Sequence, residues 1–83
     1  MEKKIKKVFS DVFAVQSTKI NNNTSFDNFE PWDSLKHTNL IIALEETFNI
    51  KFSSSEIIEM LNFKIIKSTI DKKRKKKFKT FKY

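Results

Sequence analysis

None of the 83 residues is glycine, and this absence narrows what the chain can fold into. Positive φ must fall to residues with a Cβ, for which that region is strained. Two-residue hairpin turns rely on such positions, so a small barrel or sandwich is disfavoured and an all-α fold is expected. Glycine loops that cradle phosphates are excluded for the same reason. Cysteine is also absent, which removes disulfides, thiolate nucleophiles and thiolate metal sites. A lone His37 cannot build a multi-histidine metal site. No run of about 18 apolar residues is present, so no membrane span is expected. The segment Met1–Lys7 lacks the apolar stretch of a secretory signal, and the expected compartment is the cytoplasm.

The formal charge is +7, which at first points to an anionic partner for the whole molecule. Its distribution says otherwise. Residues 72–83 hold eight basic residues and no acid, and residues 1–7 hold four Lys and Glu2. Residues 8–71 hold five Lys against nine acids, a net charge of −4. The chain therefore divides into a mildly acidic domain, residues 1–71, and a Lys-rich tail, residues 72–83.

Apolar spacing divides the domain further. Ile5, Val8, Phe9, Val12 and Phe13 make one stripe at helical period, predicting a first helix over residues 2–15. Residues 16–33 are dense in Ser, Thr and Asn, which favour turns, with Phe26, Phe29 and Trp32 as expected anchors to the core. Trp32 can alternatively be partly exposed to partners. Asp33 or Ser34 can cap a second helix running to Phe48, with Leu40, Ile41, Leu44 and Phe48 inward. Leu35 and Ile42 lie off that stripe and are expected to form an apolar surface patch. Ser53 and Glu56 suit a capping box for a short third helix, about 54–60, presenting Ile57, Ile58, Met60 and Leu61. Asn62 can cap a fourth helix built on Phe63, Ile66 and Ile70, with Ile65 adding width. The apolar period stops at Asp71.

The segment Trp32-Asp33-Ser34-Leu35-Lys36-His37, continued by Ala43-Leu44-Glu45-Glu46-Thr47-Phe48-Asn49-Ile50, resembles the acyl carrier protein family. That family has Asp-Ser-Leu at the start of its second helix and a pattern of the type Ala-Leu-Glu-Glu-x-Phe-x-Ile at its end. Thr24-Ser25-Phe26 and Phe52-x-x-x-Glu56-Ile57 extend the resemblance over residues 5–70. It implies a four-helix bundle with a long first loop and a short third helix. It also implies 4′-phosphopantetheine esterified to Ser34 by a phosphopantetheinyl transferase that draws on coenzyme A, with acyl groups held as thioesters on that arm. Asp33 would help bind the transferase's magnesium, cap the helix, or do both. Leu35, Thr38 and Ile42 would be apolar or small contacts for acyl-loading and acyl-transferring enzymes, with Glu45 and Glu46 as charge contacts. The chain would be a monomeric carrier and not an enzyme.

Three departures accompany the resemblance: Trp32 where a small residue is common, Lys36 and His37 where an acid and Thr are common, and the basic overall charge. This form of the motif resembles carriers of specialised pathways, such as surface-sugar or secondary-metabolite assembly. Other readings of single residues stay open. Ser34 alone would be an ordinary N-cap. His37 can reach a phosphate on Ser34 or be a solvated surface residue, and no nucleophile–acid spacing makes it catalytic. Glu45 and Glu46 read as docking surface rather than a metal site. The apolar stripes are core positions that could part to shelter an acyl chain.

The tail can be a solvated end of the fourth helix. It can also touch an anionic membrane, through Lys72–Lys77 with Phe78, Phe81 and Tyr83, or nucleic acid. The alternative functions are a small basic helical nucleic-acid-binding protein and, within the carrier class, an aminoacyl, D-alanyl or peptidyl carrier.

Overall fold

A computed structural model describes the backbone of residues 2–81 and the side chains of residues 2–74. The expectation that Phe78, Phe81 and Tyr83 meet a membrane lies outside the described side chains. Four helices account for most of the chain: α1 (Glu2–Phe13), α2 (Ser34–Phe48), α3 (Ser54–Glu59) and α4 (Phe63–Phe81). A single 3₁₀ turn, Ser17–Lys19, sits in the long first loop and was not expected from the sequence. Among the described residues there is no strand, and none of the helices is long and apolar enough to cross a membrane.

α1 ends with its apolar stripe, two residues before the end of the predicted range 2–15. Ala14 takes φ 56°, the left-handed region, and stops the helix. The turn is closed by Val15 N–H donating to Ser10 O, and by the Ser10 hydroxyl donating to Val15 O. At the end of α2, Asn49 does the same with φ 55°, its N–H donating to Glu45 O. A chain with glycine would normally spend it at these two places. α3 opens with the expected capping box between Ser53 and Glu56. The Asn62 carboxamide accepts from Ile65 N–H and caps α4. α4 continues ten residues past the end of its apolar period, so the first part of the Lys-rich tail is helix.

α1 and α2 run antiparallel. Lys4 lies over the Phe48 ring at one end, and at the other Lys36 Nζ donates to Val12 O at 3.3 Å. The expected stripes are buried: Ile5, Val8, Phe9 and Phe13 from α1, Leu40, Ile41, Leu44 and Phe48 from α2, and Phe63, Ile66 and Ile70 from α4. From α3 only Met60, at its C-cap, is fully buried; Ile58 and Leu61 are exposed, because six residues make under two turns and present one face inward. Ile65 is likewise exposed rather than part of the core.

The long loop is packed. Ile20 and Thr24 are buried, and Phe26 N–H donates to Leu61 O while Phe63 N–H donates to Thr24 O. Those two bonds pin the loop to the α3–α4 connector through the isolated bridge between Ser25 and Asn62. Trp32 is buried and meets Phe9 edge-on at 5.5 Å between ring centres, with Phe13 and Phe26 also against it. It is a core anchor, not a partner contact.

Candidate functional site

Several hydrogen bonds define the start of α2. Asp33 is its N-cap, with extended backbone, and its Oδ1 accepts from Lys36 N–H at 2.9 Å. Asp33 O accepts the first helical bond, from His37 N–H at 2.8 Å. Ser34 is thereby the first helical residue rather than the cap, and it is exposed. Amides of a first helical turn lack intrahelical carbonyls, and the macrodipole places partial positive charge there. A phosphodiester on the Ser34 hydroxyl would meet both features, so the residues present fit such a group. The next turn is secured by the Thr38 hydroxyl donating to Ser34 O.

His37 is not a solvated surface residue. It is half-buried, and its ring stacks on Trp32 with centres 5.9 Å apart. Trp32 Nε1–H donates to His37 Nδ1 at 3.1 Å, and His37 Nε2 lies 2.9 Å from Ile57 O. The indole N–H can only donate and the carbonyl can only accept. The imidazole proton must therefore sit on Nε2, where it is donated to α3. One side chain thus clasps the loop, α2 and α3 together three residues after Ser34. This assigns the ring's two nitrogens to Trp32 and Ile57 rather than to a phosphate.

The three residues that depart from the common motif have packing roles. Trp32 fills the aromatic core, Lys36 supplies a donor to a carbonyl at the end of α1, and His37 forms the clasp. Sequence reading had no signal for the clasp, since Ile57 contributes a backbone oxygen and its identity is irrelevant.

Along α2, Leu35, Thr38 and Ile42 are exposed, Leu35 at 71% and Ile42 at 49%. Spaced by three and four, they lie on one face. Glu46 is exposed too. Glu45 is half-buried, and its Oε2 accepts from Phe52 N–H at 2.9 Å, which ties the connector to α2. On α3, Ile58 is 71% exposed. Among the described residues no group of acids and His37 could hold a metal ion.

Comparison with known proteins meets this geometry directly. A family model described as a phosphopantetheine attachment site matches residues 3–63. The acyl carrier protein of Buchnera aphidicola subsp. Schizaphis graminum (strain Sg) is 44% identical over 62 residues, which is 75% of this chain and 77% of that protein. The acyl carrier protein of Buchnera aphidicola subsp. Acyrthosiphon pisum (strain Tuc7) is 37% identical over 79 residues, 95% of both. The solution NMR structure of holo acyl carrier protein from Geobacter metallireducens is similar with a TM-score of 0.83 and 32% identity, covering 94% of this chain and 90% of that one. The four-helix fold, the family match and these relatives agree, and the chain belongs to the acyl carrier protein family, non-catalytic carriers of acyl groups on covalently attached 4′-phosphopantetheine.

Proposed function

We propose that Ser34 is the attachment residue, modified by a phosphopantetheinyl transferase that uses coenzyme A. The observation that carries this is the exposed Ser34 side chain on the first turn of a 15-residue helix, directly after an Asp33 that holds the turn in place. Asp33 caps through one carboxylate oxygen and is exposed, so its second oxygen can reach a magnesium ion on the transferase. When bound, the arm supplies a thiol that holds the acyl group as a thioester, which this cysteine-free chain cannot supply itself. Leu35, Thr38 and Ile42, with Glu46 and Glu45, form the face that meets loading and transferring enzymes. The acidic character of residues 8–71 speeds encounter with basic enzyme surfaces more than it tightens the complex. The carrier acts as a cytoplasmic monomer, and its basic tail adds weak contact with an anionic surface, membrane or nucleic acid.

Because Trp32, Lys36 and His37 have packing roles, they do not by themselves indicate a specialised pathway. The mass of the group carried in native cells decides between fatty-acid and specialised cargo. Incubation of the apo protein with coenzyme A, magnesium and a broad-specificity transferase is expected to add one phosphopantetheine by intact mass, and Ser34→Ala to abolish the addition. Persistent modification of Ser34→Ala would assign the arm to another residue. Loading by an amino-acid-adenylating enzyme would move the protein to the aminoacyl, D-alanyl or peptidyl carriers.

A further inference from the structure

Between Ser54 and Glu59, α3 has no fully buried residue. Among the described residues it bonds to other elements at two points. His37 Nε2–H donates to Ile57 O at 2.9 Å, and Lys73 Nζ lies 2.9 Å from Glu56 Oε1 in a partly exposed ion pair. The chain is also tied on either side of α3, where Phe52 N–H donates to Glu45 Oε2 and Leu61 O accepts from Phe26 N–H. α3 is thus a short cover, tied at both ends and latched between them. The His37 latch sits three residues from Ser34, about 4.5 Å along the helix axis. Behind it, Ile41 and Leu44 of α2 are buried, four and seven residues beyond His37. From the other side Ile57 packs against the same core, and Met60 is fully buried. Trp32 sets the latch: its indole N–H occupies Nδ1, which leaves the imidazole proton on Nε2 for Ile57 O. Phe9, Phe13 and Phe26 hold the Trp32 ring in the core. The Trp32–His37 bond therefore joins two parts of one frame, and only the bond to Ile57 O must break on the α2 side for α3 to lift.

We propose that His37 is a specificity-determining residue, whose bond to Ile57 O sets the length of acyl group that passes from water into the seam between α2 and α3. This rests on Ser34 as the attachment residue. Parting α3 from α2 loses one net hydrogen bond, which disfavours the open seam about fivefold. Each methylene moved from water into an apolar seam favours it about fourfold. A fixed cost set against a gain per methylene makes a threshold. Short acyl groups leave α3 latched and stay in water, whereas groups several methylenes longer displace the latch. Lifting α3 also draws Ile57 from the core, which moves the threshold to longer chains without removing it. Trp32 is a positioning residue in this scheme, because it acts on the seam only through the His37 ring.

The latch is tested first in the full chain without its arm. Ile57 N–H donates to Ser53 O and Met60 N–H to Glu56 O, so amide hydrogen exchange at these two residues reports lifting of α3. Relative to Leu44 in α2, His37→Ala should speed exchange at both about fivefold. His37→Gln should restore slow exchange, since a carboxamide also offers an acceptor and a donor. Unchanged exchange in His37→Ala, or the same speeding at Leu44, would overturn the latch. The effect on cargo is tested by transferring acylated arms from acyl coenzyme A and timing thioester cleavage by hydroxylamine, because a chain held in the seam draws its thioester out of bulk water. In the wild type a four-carbon thioester should be cut as fast as in free acyl coenzyme A, and a twelve-carbon one about tenfold more slowly or slower still. A six-carbon group should be protected about fivefold better in His37→Ala than in the wild type. Equal protection of the six-carbon group in the two proteins, or no protection of the twelve-carbon group, would overturn the proposal. Intact mass reports loading separately, so a failure of Ser34 to carry the arm is read apart from a failure of the latch.

Discussion

The two ends of α2 are held by different physics. At the Ser34 end, directional bonds dominate. The Asp33 cap, the Trp32–His37–Ile57 clasp and the Lys36 bond to Val12 O fix the first turn from three sides. At the Phe48 end, one buried ring is flanked by the cations Lys4 and Arg74, with Glu45 anchoring the connector. Directional bonds hold a position closely, whereas cations over a ring tolerate displacement. The end that carries Ser34 is fixed by directional bonds, and the Phe48 end is held by contacts that tolerate displacement.

Removing Trp32 tests the rigid end most severely. It takes out the ring against Phe9, Phe13 and Phe26 as well as the donor to His37. Trp32→Ala is expected to cost about 3–5 kcal/mol, read as a lower denaturant midpoint. Lys4→Ala or Arg74→Ala at the other end should each cost below about 1 kcal/mol. A comparable loss at both ends would break the contrast. His37→Phe sharpens it by keeping a ring against Trp32 while removing both ring nitrogens. Trp32 Nε1–H and Ile57 O then lose their partner, for a cost of about 1–3 kcal/mol. An unchanged denaturant midpoint would show that the clasp contributes nothing. Ser34 should still accept phosphopantetheine in this variant if the Asp33 cap alone positions it.

Much of this was legible beforehand because it depends on side-chain pattern. The stripes of α1, α2 and α4, the Ser53–Glu56 box and the Asn62 cap are local, and each appears where the spacing places it. Asp33 and Ser34 likewise open α2 where the sequence places its start. What escaped depends on backbone partners distant in sequence. Ile20 and Thr24 become buried because Phe26 and Phe63 exchange backbone bonds with Leu61 and Thr24, and no side-chain pattern encodes that. His37 looked solvated because its acceptor, Ile57 O, is backbone twenty residues away. The meeting of α1 and α4 cations follows from the antiparallel run of α1, which is a tertiary property.

The missing glycine offers a gentler comparison, since each end of the bundle has one positive φ. Asn tolerates the left-handed region and Ala does not. Ala14→Gly is therefore expected to stabilise by about 1 kcal/mol, whereas Asn49→Gly should change stability by a few tenths at most. Thermal unfolding of the two variants side by side measures the difference. A gain at Asn49 equal to that at Ala14 would mean that Asn49 is as strained as Ala14.

The smallest effect separates the ends by pH. Lys67, through its hydrogen bond and then its charge, holds the Glu2 carboxyl below the ordinary 4.5, with Lys6 assisting. For Glu56 burial acts to raise the value, but the bond from Lys73 and those from Ser53 outweigh it, so this carboxyl also lies below 4.5. Both groups bind a proton less readily folded than unfolded. Their contribution is fully present above the unfolded value and is lost as pH falls through the lowered folded values. Both pair with α4, so the loss falls on the packing of α1 and α3 against that helix. Stability measured by urea midpoint from about pH 5.5 to about pH 3 should decline. Lys67→Met with Lys73→Met should make the decline shallower, since the unfolded and folded values then converge. An unchanged slope in the double variant would place the acid sensitivity elsewhere, and the ion pairs along α4 would be surface contacts without consequence for stability.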